Sequence, residues 1–313
     1  APPGRSGRGA RRVSRVVDVP EEMDHRGFEE LLVELDRAFV DDPGRILLNA
    51  RHVRWVSPYG LIGLLAVGRV VRDRTGHAPA IEMPENKDVR SYAEFMGFRQ
   101  AAGGIFDVPP VDPRTHGPHD ALLEITPIRS HRDVHLVVER VRERAASILE
   151  KKLHYPKPAV IQFSVMLSEV CQNIIEHSDA DGWVCAQTYD YKRRLGREVL
   201  MLAVMDVGVG FQGSLAAEHA RRYGESWSPA TALEAALLHG ESRFRDPGRG
   251  QGLQAIRRQV VKWDGELAIR SGDAQIAIVP EWDDLSPLQR GLPPFPGAQI
   301  LIVMPAREQD GRR

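Results

Sequence analysis

The sequence predicts an α/β protein in two parts, and three observations carry that reading. From Val16 to Phe98 strand-like and helix-like runs alternate. From Ala101 to Arg129 the chain fills with GG, PP, DP, GP and TP dipeptides, the composition of a connection. From His131 a helical period resumes and gives way to a second set of strands. The expected division is a disordered tail at 1–15, a small α/β domain at 16–100, a linker at 101–129, a second domain at 130–306 and a short tail at 307–313. A chain of 313 residues with 42% hydrophobic content is long enough for two cores.

Composition narrows the function classes. The 42 basic side chains against 43 acidic ones leave no overall field that would draw nucleic acid or an anionic membrane. Two cysteines, Cys171 and Cys185, make neither a disulfide framework nor a metal-ligand spacing. With no signal-like leader and no apolar run near the roughly 20 residues of a bilayer span, a cytoplasmic protein is expected.

The elements follow in order. The arginine-rich first residues, Arg5 to Arg15, have almost nothing to bury. An amphipathic helix is expected around Phe28–Phe39, then a strand in RILLN, a leucine-rich helix in LIGLLAVGRVVRDRTG, a strand in APAIEMP, and a short helix ending at Met96. The run from Arg45 to Phe98 resembles a STAS domain, the fold of anti-sigma-factor antagonists. In that family a strand ends in Asp-Ser-Ser-Gly before a leucine-rich helix, and the first serine is phosphorylated. Here the stretch is Ser57, Pro58, Tyr59 and Gly60. With proline at the acceptor position no phosphate is expected there, which leaves the Ser57 and Tyr59 hydroxyls as acceptors or a plain strand-to-helix turn.

In the second part, Val134, Val137, Val141, Ala145 and Ile148 mark one helix, and Phe163–His177 marks the next. That second helix carries two faces: Phe163, Met166, Val170 and Ile174 form an apolar one, and Glu169, Asn173 and His177 a polar row at i, i+4 and i+8. Strands are expected at Trp183–Tyr191 and Glu198–Val207 around a hairpin turn, then helical and polar pieces over 211–250, a helix at Gly252–Trp263, and strands at 266–270, 274–279 and 298–304. The long segment from Phe211 to Asp246 reads as a mobile lid.

The chemistry gathers on a few residues of this part. Asp206 ends the apolar strand LMLAVMD, where its carboxylate can accept from an amino group such as adenine N6 and would repel the guanine oxygen. Gly208 and Gly210 let backbone pass close to a planar ring. Gly248, Gly250 and Gly252 open a helix whose free amides suit phosphate. Asn173 offers an oxygen to Mg²⁺, and Glu169, one turn earlier, can orient or deprotonate a nucleophile. Gly208, Gly210 and Gly213 also satisfy GxGxxG, but no repeating βαβ pattern follows.

Glu169 with Asn173, then Asp206-Val-Gly208-Val-Gly210, then Gly248-Arg-Gly250-Gln-Gly252-Leu253 resemble the three boxes of the Bergerat (GHKL, histidine-kinase-like) ATP-binding fold, and among its members the anti-sigma-factor serine kinases. The resemblance implies a two-layer α/β sandwich with a mixed sheet over about 130–305. It further implies Asn173 as the Mg²⁺ ligand, Asp206 on adenine, the glycines along ATP, and Glu169 as the base. The family's Gly-Thr before its last strand corresponds to Gly297-Ala298. The expected protein is therefore an ATP-binding regulator, a serine/threonine protein kinase or ATPase with a protein partner, STAS-like or sigma-factor-like, and with a homodimer left open. A non-catalytic ATP-dependent scaffold or clamp is the alternative. A histidine-kinase-like sensor component is the other, although His131 is followed by Arg and His135 by Leu, unlike a phosphoacceptor histidine.

Overall fold

The computed structural model describes residues 15–40, 44–109, 121–178, 180–191, 195–241 and 251–307. Both tails, apart from Arg15 and Arg307, lie outside these residues, as do Gly248 and Gly250. The protein is a mixed α/β chain with helices on both faces of a central sheet.

The N-terminal unit alternates strand and helix as expected. Its strands are β1 (Arg15–Asp18), β2 (Glu22–Met23), β3 (Ile46–Asn49), β4 (Trp55–Val56) and β5 (Ala80–Glu82). The sheet β1-β3-β5 is parallel, with a small parallel pair β2-β4 beside it. Helix α1 (His25–Phe39) starts where the Asp24 carboxylate accepts from the amides of Arg26 and Gly27, at 2.8 and 2.9 Å. Helix α2 (Pro58–Thr75) is capped by the Ser57 hydroxyl, which accepts from the Gly60 amide at 3.0 Å, and Pro58 sits in its first turn, where no amide partner is needed. Helices α3 (Lys87–Phe95) and α4 (Phe98–Ala102) close the unit.

The C-terminal part is organised on a five-stranded sheet in the order β6-β7-β8-β10-β9. Its strands are β6 (Leu123–Ile128), β7 (Gly182–Asp190), β8 (Glu198–Asp206), β9 (Glu266–Ile278) and β10 (Leu288–Pro305). All four neighbouring pairs are antiparallel, which corrects the expected mixed sheet. Helices α5 (His131–Ala145), α6 (Lys157–Asn173), α7 (Gly210–Tyr223), α8 (Pro229–Leu238) and α9 (Gln251–Lys262) belong to this part. β6 and β7 are joined by helices that return to the same end, and β7 to β8 and β9 to β10 join directly, whereas α7, α8 and α9 carry the chain from β8 across to β9, which runs parallel to β8 with antiparallel β10 between them. Both α5 and α6 widen at their ends into π-helical stretches, Ala146–Lys152 and Ile174–Ser178.

Two further expectations change. The segment 101–129 is not all linker, because it ends in β6, an edge strand where Pro127 costs no ladder bond that the sheet needs. The two strands expected at 266–270 and 274–279 are one strand, β9, turned at Gly272 with φ +63°. Within the segment read as a lid, α8 is packed, with Ala230, Leu233 and Leu237 in the core because it is apolar around most of its circumference, while α7 buries only Leu215. Residues 242–246 lie outside the described residues.

The central sheet is covered on both faces. On β8, Leu200, Leu202 and Val204 enter a core shared with α5, α6, α8 and α9, while Val199, Met201, Ala203 and Met205 enter the core of the N-terminal unit with α1 and α2. Helix α2 is buried from Pro58 to Gly68, on sides that a small unit alone could not cover. Ser57 and Tyr59, the two candidate acceptors, are 1% and 2% exposed, and the Pro58 carbonyl accepts from Cys185 Sγ of β7 at 3.4 Å. The stretch is a cap and a packing surface.

Among the described residues one helical run, Lys157–Glu176, has the length and apolar composition of a membrane span, which revises the absence expected from the sequence. Its Phe163, Leu167, Val170 and Cys171 are buried in the core on the helical side of the sheet. Both cysteines are buried and unpaired in disulfides; burial pushes the Cys171 thiol up to about 12 and Cys185 higher still. Neither is expected to react with a thiol reagent in the native protein, and both should react in denaturant. Stoichiometric labelling without denaturant would mean that one of the two cores opens.

Candidate functional site

One cavity of about 430 Å³ lies between the central sheet and its helical layer, a size suited to a small-molecule ligand. Glu169 and Asn173 reach it from α6, Asp206 from the end of β8, Gly210 from the start of α7 and Gly252 from the start of α9. Residues 83 positions apart in sequence thus meet in one cleft, which no single motif required. The cavity side of α6 follows from its period: Phe163 and Leu167 point into the core, so the row about one third of a turn away faces the cavity over β8 and β10.

Asp206 is 6% exposed and sits at the cavity floor. Desolvation raises its carboxyl to about 6, although the amides of Gly208 and Ala298 donate to it and pull the other way. The Gly208 amide lies 2.9 Å from Oδ1. An ionisable group so buried at a cavity wall is a recognised mark of a binding site.

The glycines act differently from one another. Gly210 has φ +65°, and a Cβ on it would stand 2.5 Å from Ser271 Oγ and 2.8 Å from the Gly297 carbonyl. Its backbone therefore has to be bare for the turn to close. Gly208 does not border the cavity: a Cβ there would collide with the Ser178 carbonyl at 1.8 Å, and the neighbouring Val209 amide donates to that same oxygen at 3.1 Å. Its smallness lets the turn pack against the π-helical end of α6. At Gly252 a Cβ would stand 2.5 Å from Glu169 Oε2, so α9 begins directly against that carboxylate. Gly248 and Gly250 fall outside the described residues, and so does the side chain of His177.

Sequence reading missed several contributors. Glu241 lines the cavity and is held by Arg222 at 2.6 Å, His219 at 3.1 Å and the Tyr223 hydroxyl at 3.2 Å. Arg258 lines it from α9, two steps of three residues after Gly252, a helical spacing that was readable. Ser271 donates to the Gly297 carbonyl at 2.7 Å and accepts from the Phe211 amide at 3.1 Å, tying the Gly210 turn to the last strand. Ala298, in the place where the resemblance has threonine, contributes its backbone amide to Asp206. Among the described residues no group of three or more His, Cys, Asp or Glu forms a metal cluster.

The setting of β8 disfavours the dinucleotide alternative, since in that fold the strand after the glycine turn pairs parallel with the first, whereas here both neighbours of β8 are antiparallel and β9 is separated from it by β10. Comparison with protein-family models, with curated proteins and with solved structures returns no match to this chain.

Proposed function

We propose that the chain binds ATP with Mg²⁺ in this cavity, in the manner of a Bergerat-fold ATP-binding domain, and works as a regulatory protein kinase or ATPase of the anti-sigma type beside a STAS-like N-terminal unit. The observation that supports it best is the buried carboxylate of Asp206 on the floor of a cleft that also gathers Glu169, Asn173, Gly210 and Gly252. Asp206 would accept from the adenine amino group. Asn173 would hold the metal, Glu169 would orient the attacking group, and the start of α9 at Gly252 would face phosphate. Bound Mg²⁺ would supply positive charge to the phosphate oxygens and needs only one or two protein ligands there.

The protein acted on is a separate one in this reading. Ser57 and Tyr59 are buried, and α2 packs on the face of the sheet opposite to the one from which Asp206 reaches the cavity. Phosphoryl transfer to the acceptor stretch of the same chain would have to cross the sheet.

Calorimetric titration tests the reading. Mg²⁺-ATP should bind at one site, and Mg²⁺-GTP at least about tenfold more weakly, the cost of setting the guanine oxygen against a buried carboxylate. Equal affinities, or no heat with either nucleotide, would remove it.

A further inference from the structure

A buried polar arrangement outside the cavity lies on the other face of the central sheet, where the two units of the chain meet. Arg270 of β9 is fully buried. Its Nε donates to Glu29 Oε1 of α1 at 2.6 Å and its Nη2 to Glu29 Oε2 at 3.3 Å, a two-pronged pair between the units. The guanidinium also donates to the carbonyls of Gly272 and Pro293, and it stands 5.9 Å from the ring centres of both Phe28 and Phe295. Phe28 and Phe295 meet edge to face, one from each unit.

A second contact of Arg270 leads toward the cavity. Its Nη1 lies 3.4 Å from Oε1 of Gln299, itself 0% exposed. The amide end of Gln299 donates to the Asp206 carbonyl at 3.3 Å and to the Pro296 carbonyl at 2.9 Å. Between those two acceptors runs the Gly297-Ala298 turn, which holds φ +79° at Gly297 and presents the Ala298 amide to the Asp206 carboxylate. A Cβ at Gly297 would stand 2.1 Å from the Asp206 carbonyl, so turn and carboxylate cannot shift independently. A carboxamide that accepts at one end and donates at the other can sit only one way round, and the guanidinium sets which way.

We propose that Arg270 and Gln299 are positioning residues for Asp206, and that the N-terminal unit regulates the cavity through Glu29, which holds Arg270 in place. Docking of α1 then sets the orientation of the base-binding carboxylate across the thickness of the sheet. A partner that draws α1 away from the sheet loosens the site without entering it. The proposal rests on the nucleotide reading for what Asp206 binds, but the coupling itself concerns only this chain.

Hydrogen exchange on the full chain without nucleotide tests the coupling directly, comparing wild type with Glu29→Gln, Arg270→Met and, as a control, Glu85→Gln. Glu85 pairs with Arg51 at the surface of the same unit, away from the sheet. Peptides over 205–211 and 295–299 should exchange about tenfold faster in the first two variants and unchanged in the control. Should both variants change exchange only within α1 and β9, or unfold the chain throughout, the coupling is overturned. Titration with Mg²⁺-ATP on the same samples adds a readout that loss of stability alone would not produce. Gln299→Leu should weaken binding, and adding Glu29→Gln to it should weaken binding no further; additive losses count against the chain of contacts. If wild type takes up no nucleotide while the exchange result holds, the nucleotide reading fails and the coupling stands. If wild type binds ATP and Glu29→Gln binds it equally with unchanged exchange, the reverse is true.

Discussion

Asp206→Asn is expected to lose adenine affinity and, above pH 7, to gain stability. Folding carries this carboxyl from its ordinary value near 3.8 to about 6 because burial penalises its charge more than two amide donors repay. Between those values the folded chain holds a proton that the unfolded chain has released, so stability from this group is fully present below about pH 4 and is lost as pH rises through 6. At neutral pH the buried charge therefore costs on the order of 3 kcal/mol, which the neutral amide avoids while keeping an oxygen for the Gly208 amide. Urea unfolding should show the variant more stable than wild type at pH 7.5, with the gap closing near pH 4. Affinity should move the opposite way: Asp206→Ala removes a charge-assisted hydrogen bond and should bind Mg²⁺-ATP about ten- to a hundredfold more weakly. A stability gap that does not change with pH would show that Asp206 is not the group titrating. Undiminished affinity in the alanine variant would take adenine recognition away from it.

The larger effect is expected at Glu169. Its carboxylate lines the cavity and lies against the start of α9, where a Cβ on Gly252 would come within 2.5 Å of Oε2. Glu169→Gln keeps the size of the side chain and should leave nucleotide affinity in place. As a positioned base it would be worth roughly 10²–10⁴-fold, so phosphoryl transfer or ATP hydrolysis should fall by that factor. Asn173→Ala should instead weaken Mg²⁺-ATP binding itself, because its oxygen is the proposed metal ligand. Steady-state hydrolysis and transfer to candidate protein partners, measured beside affinity, separate the two roles. Wild-type turnover in Glu169→Gln would leave a nucleotide-gated scaffold, in which occupancy rather than chemistry sets affinity for the partner.

What the sequence disclosed, it disclosed through period and position. The α6 stripe of Phe163, Met166 and Val170 is buried as the 3.6-residue spacing requires, and Glu169 and Asn173 reach the cavity from the remaining face. Asp206 was legible because an apolar strand ending in an acid has one place to put it. Strand pairing was less legible. Pro293, Pro294 and Pro296 suggest a loop, yet β10 runs from Leu288 to Pro305 by taking register shifts around Phe295, where an irregular ladder can spare the missing donors. The packing of Gly208 is not legible in the sequence because its crowding neighbour, Ser178, lies on another element. The joining of the two units could have been suspected from α2 alone: Leu61–Gly68 is apolar on every side, and one small parallel sheet covers only one of them.

The pair between Glu29 and Arg270 also bears on how the chain is made. The two residues are 241 positions apart, and α2 finds its cover on β7 and β8 only after more than a hundred further residues are synthesised. The N-terminal unit therefore emerges from the ribosome with its leucine-rich helix and a carboxylate still awaiting their counterparts. Contacts of such long range slow folding and prolong the exposure of apolar surface. The first third of the polypeptide is completed only when β9 and β10, among its last described residues, close over it.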